Sequence, residues 1–216
     1  GEDSDRCISQ PNVQPCQTIN FIMHRSKQTN ITIIIKPHGA SSDMFGENII
    51  QHNSLYRDLN KNNIKMITVI GQSNVKIKDL IWKTNRCKNR DGCDQADRKT
   101  NHKLETIAIN IKNISFYNSR FLLKCVDIYF ENVKFMDTSF HTSQSKWCPN
   151  KEHTNLYITL NNTQWESVEY ADDTNLKSFA MVKLIHTAHL HILVINTSFT
   201  NMFAHINSKV MSLKFF

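Results

Sequence analysis

The densest charge in this chain lies in residues 83–103, KTNRCKNRDGCDQADRKTNHK. Seven Lys or Arg stand there against three Asp, a net of +4 out of +7 for the whole chain. Lys83, Arg86, Lys88, Arg90, Arg98 and Lys99 could together dock an acidic partner. The plainer alternative is a solvated excursion, because charged loops are usually only surface. Asp91, Asp94 and Asp97 in the same segment are spaced by three and lack the alternating ligand positions of a calcium loop. His186, His189 and His191 are the one histidine cluster. His189 and His191 share a strand face that could present a metal ion with two imidazoles. No carboxylate or cysteine lies close in sequence to complete the set. The expectation is surface histidines, with no metal and no cofactor.

Hydrolysis of a glycan would need paired carboxylates at catalytic separation. Asp127 and Glu131 project from one strand four residues apart, while Asp172 and Asp173 are adjacent in a polar segment. Neither set assembles into a pair with what neighbouring strands offer, such as Lys112, Thr159 and Leu193. A nucleophile elbow and a phosphate loop are also absent from the sequence. Nucleic-acid binding would call for aromatics interleaved with the basic residues. The basic segment has none after Trp82. These readings favour a chain without catalysis of its own.

Six cysteines fall into two close pairs and one wider pair: Cys7 and Cys16, Cys87 and Cys93, Cys125 and Cys148. None forms the close spacing of a zinc knuckle. An even count with local pairing suggests disulfides made in an oxidising compartment. Glycosylation sequons stand at Asn30, Asn113, Asn161 and Asn196. Together they point to a secreted or cell-surface glycoprotein. No run of 18 apolar residues offers a spanning helix, and the start at GEDSDRC suggests a mature or trimmed product.

The elements that must position these residues are strands. In residues 156–165, LYITLNNTQW, Leu156, Ile158 and Leu160 alternate with polar residues before Asn162, Thr163 and Trp165. The frame recurs around Asn113, Asn132 and Asn196, and more weakly around Asp79. Period-two alternation marks a strand with one buried face. The phase slips by one residue at each Asn, which implies a bend there. With intervals of 34, 19, 30 and 34 residues between these positions, the pattern is that of a repeat array. A sandwich would spend more than 5 Gly and 4 Pro on hairpins. Asn113, Asn132, Asn162 and Asn196 are expected to face inward and form a column, with Asp79 in line. That phase makes Asn113 and Asn196 poor glycan acceptors, leaving Asn30 and Asn161. It also places Phe135, Trp165 and Phe199 in the core.

Residues 17–28 carry Ile19, Ile22 and Met23 at helical spacing, and residues 31–39, ITIIIKPHG, read as a strand. Helix, strand, a K-P-x-G turn and then MITVIGQSNVKIK with Ile70-Gly71 resemble the opening of right-handed parallel β-helix proteins of the pectin-lyase-like class. The Asn column resembles that class's asparagine ladder. The resemblance covers about residues 16–216. It implies an all-β fold, a right-handed parallel β-helix with a short N-terminal capping helix. Residues 1–30 would form a disulfide-stapled leader and cap, and 31–216 the coils. Insertions are expected at about 83–103, 141–155 and 167–178, leaving one corner. Residues 40–63 are polar, with one helical turn at Leu55 and Leu59. Residues 210–216, VMSLKFF, stop within a new strand, so the C-terminal end is expected to be uncapped.

The expected function is an extracellular binding module, a receptor ectodomain or adhesion domain. Its partner would be an extracellular protein or an anionic glycan, not nucleic acid. The alternatives are a polysaccharide lyase or glycoside hydrolase of the pectin-lyase-like class, and a structural coat protein that self-associates end to end.

Overall fold

The computed structural model describes residues 3–36, 49–51, 64–83, 107–124, 126–143, 155–167, 181–201 and 203–216. Two short helices precede a curled sheet of fourteen strands whose pairings among the described residues are all parallel. Strand β1 (Asn30–Ile35) pairs with β3 (Met66–Lys78), and β3 with β5 (Ile107–Tyr117). β5 continues the stack to β7 (Val126–Glu131) and β10 (Asn155–Asn161). The stack ends with the second halves of β12 (Met181–Ile195) and β14 (Phe203–Phe215). A second stack holds the later halves of β3 and β5, then β8 (Lys134–Met136), β11 (Gln164–Glu166) and β13 (Ser198–Thr200). A third holds β2 (Ile49–Gln51), β4 (Ile81–Lys83), β6 (Arg120–Lys124), β9 (Ser139–Ser143) and the first halves of β12 and β14.

Two corners join these stacks. At the first stand Asn113, Asn132, Asn162 and Asn196, all with φ between 45° and 57°. A non-glycine residue rarely takes this left-handed backbone, and Asn tolerates it best. The left-handed residue turns its own side chain out and the next one in. Asn113, Asn132, Asn162 and Asn196 are therefore exposed, not inward. Ile114, Val133 and Thr163 take the buried position. The column itself forms on the outside. Asn132 Nδ2 donates to Asn113 Oδ1 at 3.1 Å, Asn162 Nδ2 to Asn132 Oδ1, and Asn196 Nδ2 to Asn162 Oδ1 at 3.1 Å.

Asp79 belongs to the second corner. Register places Lys78 beside Tyr117, so Asp79 aligns with Asn118 rather than Asn113. Asp79, Asn118, Asp137 and Asn201 also have positive φ, between 46° and 57°. Asn118 Nδ2 donates to Asp79 Oδ1, and Ser167 Oγ to Asp137 Oδ1. Inside this corner the buried hydroxyls of Ser119 and Thr138 donate to the carbonyls of Tyr117 and Met136. At the first corner Gly71 approaches Asn113 so closely that a Cβ would lie 2.3 Å from the Asn113 carbonyl oxygen.

Rings run through the interior. Trp82 stacks on Phe121, Phe116 on Phe135, and Phe135 on Trp165 at 3.9 Å between centroids. Phe199 continues the line at 6.1 Å from Trp165 but is 46% exposed, against the expectation that it is core. No described strand pairs with the far side of β13.

At the N-terminus, helix α1 (Asp5–Ser9) was not legible in the sequence; helix α2 (Ile19–Arg25) was, though shorter than residues 17–28. Thr18 caps α2 by accepting the Phe21 amide, and Asp3 accepts the Thr18 hydroxyl and amide. Ile19 and Met23 enter the same core cluster as Ile31, Ile33 and Ile35. Cys7 and Cys16 are disulfide-bonded. Residues 40–48 and 52–63 lie outside the described residues. The segments after Lys83 and after Ser143 both separate a third-stack strand from a first-stack strand. The one after Ser167 separates the second stack from the third. The three insertions therefore do not share a corner.

Trp165→Ala should cost about 3–5 kcal/mol in chemical denaturation, and Phe199→Ala only about 1 kcal/mol because half its ring is already wet. Gly71→Ala should destabilise by about 1–3 kcal/mol, read as a lower denaturation midpoint at unchanged slope, since the corner backbone must move to admit the methyl group.

Candidate functional site

Two surfaces follow from this framework. The first is basic. Lys76 and Lys78 leave the outer face of β3 in the second stack, and Arg120 opens β6 across the second corner. None of the three takes part in an ion pair among the described residues, whereas Lys134 bridges Glu166 at 3.4 Å. Strand β4, beside β6, ends at Lys83. The basic segment predicted to dock a partner begins there, on the same edge. Arg86, Lys88, Arg90, Arg98 and Lys99 lie outside the described residues, as do Cys87, Cys93, Cys125, Cys148, Asp91, Asp94, Asp97, Asp172 and Asp173.

The second surface is the outer face of the first stack. Strand pleating turns every second residue outward, and parallel register lines these up across levels. Ala108 and Asp127 are register partners, as are Tyr157 and His191. Asp127 and Tyr157 meet between them, because the pairing of β7 with β10 places Ile128 beside Ile158. Asp127 Oδ1 accepts the Tyr157 amide at 2.9 Å. Burial pushes the Asp127 carboxyl above the ordinary carboxylate range, and this hydrogen bond offsets only part of the shift. Tyr157 stacks on His191, with centroids 5.0 Å apart and planes 15° apart. Tyr129, two residues along β7, is 38% exposed, and Tyr157 is 43% exposed. Burial, then the Asp127 charge, then Tyr157 raise the Tyr129 phenol above its usual value. Tyr157 and His191 themselves line a shallow cavity of about 420 Å³, together with Thr159, Leu193, Ser212 and Lys214 among others.

Glu131, the other acid on β7, is paired with Lys112 at 2.5 Å. Four residues of strand separate it from Asp127, about 13 Å. Glycosidase carboxyl pairs sit about 5–9.5 Å apart, closer than this backbone spacing. The sequence singled out His191 and Asp127 separately but missed Tyr129 and Tyr157. Aligning the copies on their Asn would have found the cluster: Ala108, Asp127, Tyr157 and His191 each stand five residues before Asn113, Asn132, Asn162 and Asn196.

Among the sequons, Asn30 is exposed at the start of β1 and Asn161 is half-buried. Asn113 and Asn196 are exposed, which removes the argument from inward burial against them. Compared with family models, curated proteins and solved structures, the chain matches none.

Because folding raises the Asp127 pKa, the neutral acid is the form the fold favours. Its contribution is fully present below the unfolded carboxylate pKa and is lost as pH rises through the folded one. Asp127→Asn keeps an oxygen for the Tyr157 amide and removes the charge. Its stability relative to wild type should improve from acid toward neutral pH, measured by urea unfolding across that range.

Proposed function

We propose that the chain is a right-handed parallel β-helix of the pectin-lyase-like kind, working as a non-catalytic extracellular recognition module. Three recurring stacks of parallel strands joined at two fixed corners support the fold. Parallel crossovers are right-handed in about 98% of cases, which supplies the hand. Helix α2 is then the N-terminal cap.

The observation that carries the binding role is the basic edge. Lys76, Lys78 and Arg120 are free of ion pairs among the described residues and stand with Lys83, where the +4 segment begins. Rigid strands hold their backbones, so little ordering entropy opposes docking. The partner class is an anionic glycan or an acidic patch on an extracellular protein. The Cys7–Cys16 disulfide and the sequons support the extracellular setting.

The test is retention on an immobilised sulfated polysaccharide, with depolymerisation of the same polymer assayed in parallel. Wild type should bind and weaken steeply with added salt. Neutralising Lys83, Arg86, Lys88, Arg90, Arg98 and Lys99 to Gln should leave folding intact and weaken binding about tenfold or more. Further loss is expected with Lys76→Gln, Lys78→Gln and Arg120→Gln. Unchanged binding in these variants would contradict the reading. Cleavage of the polymer would replace it with the enzymatic one.

A further inference from the structure

The outer face of the first stack holds an acid with no counter-ion among the described residues. Asp127 Oδ1 is committed to the Tyr157 amide, and Oδ2 accepts no hydrogen bond among the described residues. The adjacent cation, Lys112, is paired with Glu131. A half-buried carboxylate with one backbone hydrogen bond and no described cation beside it recovers only part of the hydration it gives up. Burial accordingly holds its proton affinity high.

Two tyrosines stand near this acid. Tyr157 gives one face to His191 on the next level. Its other face therefore looks back toward the level of β7, where the register partner is Asp127. The neighbour one level further back is Ala108, which is too small to fill the step. Tyr129 stands about 7 Å along the same strand and feels the Asp127 charge. A negative group at the floor and aromatic faces at the wall are the two elements that attract an organic cation.

We propose that Asp127, Tyr129 and Tyr157 form a binding site for an organic ammonium group. The cation would sit against the open face of Tyr157, with the Asp127 carboxylate as its counter-ion. The local sign is opposite to the chain's net +7, so this site and the basic edge select different ligands. Among the described residues, the titratable groups that share this face are Tyr129, Glu131, Lys112, Tyr157, His191 and Lys214, the last of these two levels beyond Tyr157. Glu131 and Lys112 neutralise one another, and His191 is screened from the acid by the Tyr157 ring.

The experiment is an NMR titration of the full chain carrying ¹³C-labelled tyrosine. Three probes are used: choline, N-acetyl-lysine methylamide, and 3,3-dimethyl-1-butanol as the neutral isostere of choline. At neutral pH the Tyr129 and Tyr157 ring signals should shift saturably with at least one ammonium probe and not with the alcohol. Tighter binding of choline would assign the site to small quaternary ammonium ligands. Tighter binding of the lysine derivative would assign it to a protein side chain. Asp127→Asn and Tyr157→Leu, each checked for a native circular-dichroism spectrum, should weaken binding at least tenfold. Lowering the pH until Asp127 is protonated should release the cation. A response to the alcohol equal to that of choline, no saturable shift with either ammonium, or unaltered affinity in Asp127→Asn would each overturn the proposal.

Discussion

A left-handed backbone at eight polar corner residues is the constraint on which the rest of this structure depends. Each costs about 1–2 kcal/mol for an ordinary side chain. Asn and Asp lower that cost and then add bonds between levels. At the first corner each inner Asn donates one side-chain bond and accepts another, as Asn132 does between Asn162 and Asn113. The corner amides also bond to the next level, Asn132 to the Asn161 carbonyl and Asn162 to that of Ile195. A corner can therefore sit in only one register relative to its neighbours. Because side chains alternate with a period of two, a slip by one residue would exchange inside for outside along a whole strand. The corner columns and the buried rings enforce the same alignment from opposite sides of the backbone.

Registered stacking is also what makes a surface out of single residues. Asp127, Tyr157 and His191 are far apart in sequence, and none belongs to a motif. They meet because each holds the same offset from its corner. Tyr157 is fixed twice, by its amide on Asp127 and by its ring on His191. The basic edge arises likewise, where β3 and β6 bring Lys76, Lys78 and Arg120 to the second corner and β4 runs on from it to Lys83.

Much of the framework could be read from the chain. Alternation in Ile107, Ile109, Ile111 and in Val126, Ile128, Phe130 identified strands with one buried face, and all six residues are buried. The asparagine spacing identified which positions align. Which side of the backbone the Asn occupies was not legible, because a phase slip looks the same whether the residue before or after it turns outward. The φ angle decides, and alternation does not encode it. Asp79 was assigned to the wrong corner for a related reason. Its level departs from the Asn pattern at the first corner, where the register shifts between Ile70 and Val75. Phe199 matched the inward aromatic pattern, but its exposure depends on what lies beyond β13, which local sequence does not carry. The ammonium site was invisible strand by strand because Tyr157 lies in a different copy of the repeat from Asp127 and Tyr129.

The most direct measurement of the central claim is a set of proton–proton contacts between Asn side-chain amides in solution. Asn→Asp replacements at 113, 132, 162 and 196 would assign the signals one at a time. A corner column predicts cross-peaks from 132 to 162 and from 162 to 196, with the Asn132, Asn162 and Asn196 amide protons slowed in exchange with solvent. Side-chain amides that exchange freely and show contacts only within their own strand would contradict the register, and with it both surfaces built upon it.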